Sequence, residues 1–445
     1  MNIFNKQKLI KFIEWAHLKI FGHKIGPEMK NFIVNLSWSF FGGILASIIL
    51  LVASILAGRI MGPTSYGSYN LVVTLSQILL IAIFLGMDNA SVRAVSASKT
   101  DTEKKKNISS FSVFIVFNTI FICVILLLFR KQLLSHYSIE PALFWLLLLY
   151  STSFVSKTTF DICVKGMKLF KLQSIGRIVE AVSVALFFVI FFFVLNQQNY
   201  TYYIYSIAIG AGAVSIFYFF YLRRFLSSFD LQFLKKQLNY ARLFLANTVL
   251  ATGLGSLDKI IIAKYLNLYE LGVYMAYYAA SVSIISLMVK MFNNVLFPSV
   301  SSNPDKSFTI KLNKLIYLGF IPLVLLIMVI TVIVLRLYGH AYGLKLIYVV
   351  GFSILGGTNA VSSIYNSIVV SLSVPAYKKY IFYNNLFNII NLIAYGTMIY
   401  FRIVLIELIL ISVIANNIFT IMLQKRLISI SIREHKKGIG LKTTT

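Results

Sequence analysis

Of 445 residues, 58% are hydrophobic and 12% charged, with a mean hydropathy of +0.82. Soluble domains run nearer 45–50% apolar and about 25% charged, so a soluble globular fold is excluded, and continuous apolar runs of about 20 residues exclude a β-barrel, whose strands alternate every second residue. The formal charge of +27 would suggest nucleic acid in a soluble protein; here the basic residues fall between apolar runs, so membrane orientation accounts for them and no nucleic-acid partner is expected.

In chain order, residues 1–30 form a basic segment in which Leu9, Phe12, Ile13, Ala16 and Ile20 recur at helical spacing, the pattern of an amphipathic interfacial helix. The first apolar run lacks a cleavage site and is expected to remain as a span. Twelve spans are predicted near 34–58, 69–91, 108–129, 142–165, 176–195, 201–222, 241–265, 271–297, 312–336, 344–371, 380–400 and 403–424. Embedded charges weaken the fourth, fifth and seventh. Of 41 lysines and arginines, 33 lie at the termini or after even-numbered spans and seven on the opposite side. That bias predicts cytoplasmic termini. The two cysteines and five histidines are scattered, so no disulfide, metal site or other cofactor is expected.

An offset of 205 residues places "AGRIMGPTSYGSY" (57–69) on "AKYLNLYELGVY" (263–274), aligning Arg59 with Lys264, Gly67 with Gly272 and Tyr69 with Tyr274. Each copy joins the first two spans of a six-span half on the outer side. Six is even, so the halves point the same way, as in parallel-repeat transporters. The expected organisation is an all-α polytopic protein of two parallel six-helix bundles, 31–225 and 241–425, around a central cavity. A cytoplasmic linker at 226–240 joins them and a basic tail follows at 426–445.

Gly62-Pro63 and Gly67 read as a turn between spans. A phosphate-binding loop is excluded, because no Lys-Ser/Thr ending follows and a membrane helix, not a strand, precedes. Arg59 and Lys264, with Gly272, are the corresponding gate or turn candidates.

Charges inside spans are costly and usually face a cavity or a partner. Lys157, Asp161 and Lys165 share one face of span 4, and Arg177 and Glu180 stand three residues apart in span 5. Asp258 and Lys259 lie roughly 23 Å from the inner end of span 7. The competing readings are a structural ion pair for Lys157–Asp161 and snorkelling for Lys165 and Arg177. Lys290, Asp88 and Arg93, toward inner ends, are further candidates. Lysines and arginines near a cleft would attract an anion such as a diphosphate, with the carboxylates balancing charge or carrying a coupling proton or cation.

These residues resemble bacterial polysaccharide biosynthesis flippases of the O-antigen (Wzx-like) type, in the MATE/lipid II flippase superfamily. The likeness rests on Ala57, Arg59, Gly62, Pro63, Tyr66, Gly67 and Tyr69; on Leu257, Asp258, Lys259 and Ile262; on Gly272 and Tyr274; and on Phe297-Pro298. The resemblance implies movement of an undecaprenyl-diphosphate-linked oligosaccharide to the outer leaflet of a bacterial inner membrane by a rocker-switch. A glycan polymerase and a chain-length regulator would be its partners. At Asn267-Leu268 the chain departs from the Gly-Pro of the pattern. The alternatives are a drug/cation antiporter of the same broad fold, an integral glycosyltransferase or polymerase, for which the outer loops are short, and a membrane scaffold.

Overall fold

A computed structural model describes residues 27–132, 141–290, 293, 306–372 and 374–436. The expected amphipathic helix at 1–30 and Phe297-Pro298 lie largely or wholly outside them. Among the described residues the chain is almost entirely helical. The helices are α1 (Pro27–Phe84), α2 (Met87–Ala97), α3 (Asp101–Leu128), α4 (Pro141–Gly166), α5 (Phe170–Val189), α6 (Tyr200–Leu222), α7 (Leu231–Ile261), α8 (Leu268–Tyr278), α9 (Lys306–Tyr338), α10 (Leu346–Leu372), α11 (Val374–Tyr400) and α12 (Ile406–Lys436).

Helix α1 contains two predicted spans, joined at Gly62 alone (φ 75°, ψ 170°). Only glycine readily occupies that region, and Pro63 then starts the second arm with its φ already set. The bend is a reversal. Ser54 Oγ and Tyr66 Oη are 3.2 Å apart, whereas twelve residues of straight helix would separate their positions by about 18 Å. In the second arm the polar side chains return to their own backbone: Ser68 to Thr64 O, Asn70 to Tyr66 O and Thr74 to Asn70 O. Such internal bonds are required where no water is present.

The second half repeats the device with different chemistry. Helix α7 continues through a π-helical turn, Ile262–Leu266, and meets α8 at Asn267, which is extended (φ −172°, ψ 176°) and accepts the Glu270 N–H on its side chain. Asn267 is the 205-residue counterpart of Gly62. Extended backbone makes no demand for glycine, so an N-cap asparagine replaces it.

Eight helices among the described residues are long and apolar enough to cross a membrane, one of them containing both arms of α1. Outside that group are α4, α7 and α11, which carry embedded charges or asparagines; α5, expected to be weakened, is inside it. With the arms counted separately and α4, α7 and α11 included, six long helical segments fall in each half. In the first half α1 packs on α4 and α5, and α6 on both of these; in the second, α10 packs on α9 and α12, and α11 on α12.

Helix α7 starts ten residues before the predicted span, at Leu231. Asp230 caps it, accepting the Gln232 and Phe233 N–H groups at 3.0 and 3.4 Å. These first turns lie against the first half: Ser91 donates to Gln237 Oε1 (2.8 Å), Gln237 Nε2 to Asn107 Oδ1 (2.9 Å), and Lys106 to Asp230 (3.0 Å).

Candidate functional site

The halves meet at the Gly62 end through a reciprocal helix crossing. A Cβ added to Gly67 would stand 1.9 Å from Leu268 O and 3.1 Å from Gly272 N; one added to Gly272 would stand 1.9 Å from Pro63 O and 3.1 Å from Gly67 N. Because 63 and 268, like 67 and 272, are repeat counterparts, the contact is isologous: i touches j and j touches i. A local two-fold axis therefore passes between the two glycines. Two small residues let the backbones touch, as they do between helices in lipid.

Aromatic residues close the same seam. Tyr66 Oη lies 3.0 Å from Tyr338 Oη, and Tyr342 Oη donates to Gly58 O at 2.6 Å. All three rings are buried and meet tilted or edge-on, with centroids 5.1–6.2 Å apart. Arg59, by contrast, is exposed, with its Cγ near Gly339, and Lys264 is exposed with its ammonium over the Tyr265 ring.

In the first half, α4 and α5 bring Lys157 and Glu180 together as an ion pair. The pairings suggested by local spacing, Lys157 with Asp161 and Arg177 with Glu180, do not form. Helix packing turns Glu180 toward α4, and Asp161 instead accepts both Gln173 Nε2 contacts, at 3.0 and 3.1 Å, with Tyr218 at 3.5 Å. The Lys157 ammonium also sits 4.6 Å from the Phe154 ring centroid. Arg177 is exposed and has no ion pair among the described residues.

In the second half Asp258 and Lys259 are 5% and 8% exposed. Lys259 curls back along its helix, donating to Gly255 O (2.7 Å) and Asp258 (3.0 Å), over the Tyr278 ring at 5.2 Å. Tyr274 Oη donates to Asp258 Oδ2 at 2.6 Å. This triad borders a cavity of about 270 Å³ between α7, α8, α10, α11 and α12, whose lining includes Asn359, Asn388, Asn391, Asn416 and Asn417. The π-helical turns Ile262–Leu266 and Ala279–Ser283 follow directly on its lysine and tyrosines, and such turns concentrate at functional sites.

Lys157 and Lys259 are thus each matched by a carboxylate, and the two clusters are close to neutral where the sequence suggests a basic cleft. Among the candidate carboxylates, Asp161 and Asp88 have no ion pair within the described residues; Asp88 Oδ1 is buried without a hydrogen bond while Oδ2 accepts from Asn89. Arg93 is exposed, 5.0 Å from the Tyr240 ring, and Lys290 is exposed at the end of the described part of its helix. No hydrogen bond or ion pair within the described residues joins Asp88, Arg93 or Lys290 to either cluster. Among the described residues no group of three or more His, Cys, Asp or Glu could hold a metal.

The asparagine pocket escaped the sequence reading, which weighed charges alone. Its signal was present as the spacing Asn384, Asn385, Asn388 and Asn391 in one span and Asn416-Asn417 in the next.

The sequence profile described as Polysaccharide biosynthesis protein matches residues 32–303, and no curated protein matches the chain. Similar solved structures include a multidrug resistance MATE family transporter of the MOP superfamily in an inward-facing conformation. It is 12% identical, with TM-score 0.63 over 87% of this chain and 96% of that one. An outward-facing transporter of the same description is 13% identical, with TM-score 0.60 over 90% and 96%. A MOP superfamily transporter from Pyrococcus furiosus, described as having a binding pocket of reverse polarity, is 12% identical, with TM-score 0.52 over 90% and 96%. At such identities the likeness is one of fold.

Proposed function

Because this chain belongs to the polysaccharide biosynthesis protein family, we propose that it is a flippase for an undecaprenyl-diphosphate-linked oligosaccharide, the repeat unit of an O-antigen, capsule or related surface glycan. It would act in a bacterial cytoplasmic membrane with both termini cytoplasmic, as the lysine and arginine bias suggests. The Gly67–Gly272 crossing then lies on the outer side, and the described state is closed there. Breaking that contact while the halves approach at the opposite end would complete a rocker-switch.

The observation that carries this reading is a polar, near-neutral interior divided between two repeat halves, in a chain of that family. A sugar–diphosphate head needs hydrogen-bonding groups along most of its path and a cation at one point. Arg177, exposed and without an ion pair among the described residues, would supply the cation. Asp88 and Asp161, without an ion pair among the described residues, would be the candidates for a coupling proton or cation. The antiporter alternative is less well supported, because the family profile is that of polysaccharide biosynthesis proteins and Glu180 and Asp258 are already held in ion pairs. A glycan polymerase and a chain-length regulator would act next on the flipped unit.

Deletion of the gene is expected to trap lipid-linked repeat units in the inner leaflet and abolish surface glycan. Surface glycan shortened to single repeats would instead identify a polymerase, and unaltered glycan would refute both.

A further inference from the structure

The asparagine pocket has a chemistry of its own. Its two charges are spent on each other: the Lys259 ammonium bonds Asp258 and Gly255 O, and Tyr274 takes the second carboxylate oxygen. What remains is a ring of carboxamides with mixed vacancies. Asn388 Oδ1 accepts from Asn416 Nδ2 at 3.3 Å, and Asn417 Nδ2 donates to Thr358 Oγ1 at 3.5 Å. The Asn416 carbonyl is buried with no partner, the Asn417 carbonyl and the Asn388 amide nitrogen make no bond, and Asn359 has no hydrogen bond among the described residues.

A buried polar group left unpaired costs about 1–3 kcal/mol, which applies to the Asn416 carbonyl; with the unbonded amide groups beside it, that vacancy points to what should fill the pocket. A metal ion would satisfy the carbonyls and leave N–H groups empty. An anion would do the reverse. A hydroxyl both donates and accepts, so a ring bearing several hydroxyls can meet both kinds of vacancy. The walls also offer aromatic faces, Tyr278 and Tyr395. At the rim Gly255 is exposed, and nothing lies within 4 Å of the place its Cβ would take.

We propose that this pocket is a carbohydrate subsite, which takes one neutral, hydroxyl-rich sugar ring of the translocated headgroup and leaves the diphosphate to cations elsewhere. The proposal rests on the flippase reading and adds where the sugar is recognised. Asn359, which makes no hydrogen bond among the described residues, and Asn416, whose carbonyl is buried and unpaired, are its specificity-determining residues.

The test measures binding to the purified full-length protein of two probes: the lipid-linked glycan extracted from the deletion strain, and bare undecaprenyl diphosphate. Wild type is expected to prefer the glycan lipid at least tenfold. Asn359→Leu and Asn416→Leu should each lose about tenfold for the glycan lipid and nothing for the bare lipid, the scale of one well-made hydrogen bond. Neither change removes a strong internal bond, so the unfolding midpoint should hold. Unchanged preference in both variants, or equal binding of the two lipids by wild type, overturns the subsite. Thermal stabilisation of wild type by sodium that both variants lose, with the sugar preference intact, would also overturn it and make the pocket a cation site. Binding of neither lipid by wild type would sink the flippase reading itself.

Discussion

Substituting Gly67 by alanine attacks the crossing of the halves directly. The new methyl would stand 1.9 Å from Leu268 O and 2.9 Å from Leu268 C. Both are backbone atoms, so no side chain can swing aside, and α1 and α8 must separate by about 1 Å or more. Overpacking of this kind costs about 1–3 kcal/mol, paid only in the conformation that makes the contact. The ratio of closed to open states should therefore fall by about 5- to 150-fold. Spin labels at Thr64 and Tyr265, flanking the seam, in a chain with Cys123 and Cys163 replaced, would read the change as longer distances. Restoration of surface glycan should fall in parallel, because a state that cannot close cannot complete the cycle. Gly212→Ala serves as control, since its added Cβ meets nothing within 4 Å. If Gly67→Ala left both the distance distribution and glycan export at the Gly212→Ala level, the crossing would not be a closing contact and the reasoning would fail.

Three further outcomes are expected. Glu180→Gln strands Lys157, and unfolding in detergent should show a loss of about 3 kcal/mol, the lower end for a broken buried pair because Lys157 keeps some exposure; the double change Lys157→Met with Glu180→Leu should recover most of it. Tyr66→Phe removes a hydroxyl shared with Ser54 and Tyr338, so the seam should weaken by about 1 kcal/mol, read as a roughly fivefold shift with the same labels. Asp230 is held below its ordinary pKa of 3.8, chiefly by the Lys106 hydrogen bond and also by the Gln232 and Phe233 N–H groups. A lowered folded-state pKa stabilises above the unfolded value and is lost as pH falls through the folded one. Asp230→Asn should thus lower the melting temperature at neutral pH and make no difference in strong acid.

Most spans were legible as continuous apolar runs, and Gly67 and Gly272 were legible as repeat counterparts because both motifs survive at one offset, although their contact was not. What the sequence could not supply was facing. Lys157 has a carboxylate four residues away at Asp161, yet pairs with Glu180 on the next helix, because the packing of α4 on α5 decides which side chains share a dry interface. Tyr66 and Tyr338 stand 272 positions apart, and nothing local links them. The early start of α7 was masked by lysines that suit a cytoplasmic linker as well as a capped amphipathic turn.

The single-residue reversal at Gly62 leaves that connection no slack. One residue inserted after it would rotate the second arm of α1 by about 100° and shift it by about 1.5 Å, carrying Gly67 off the crossing and Tyr66 out of the seam. Chain length is therefore quantised at this point, much as register is between paired strands. The segment Asn196–Asn199, between the π turn Ile190–Val194 and α6, is non-helical and exposed, and could absorb the same insertion. Among relatives of this chain, gaps should accumulate there and be rare between positions 59 and 67.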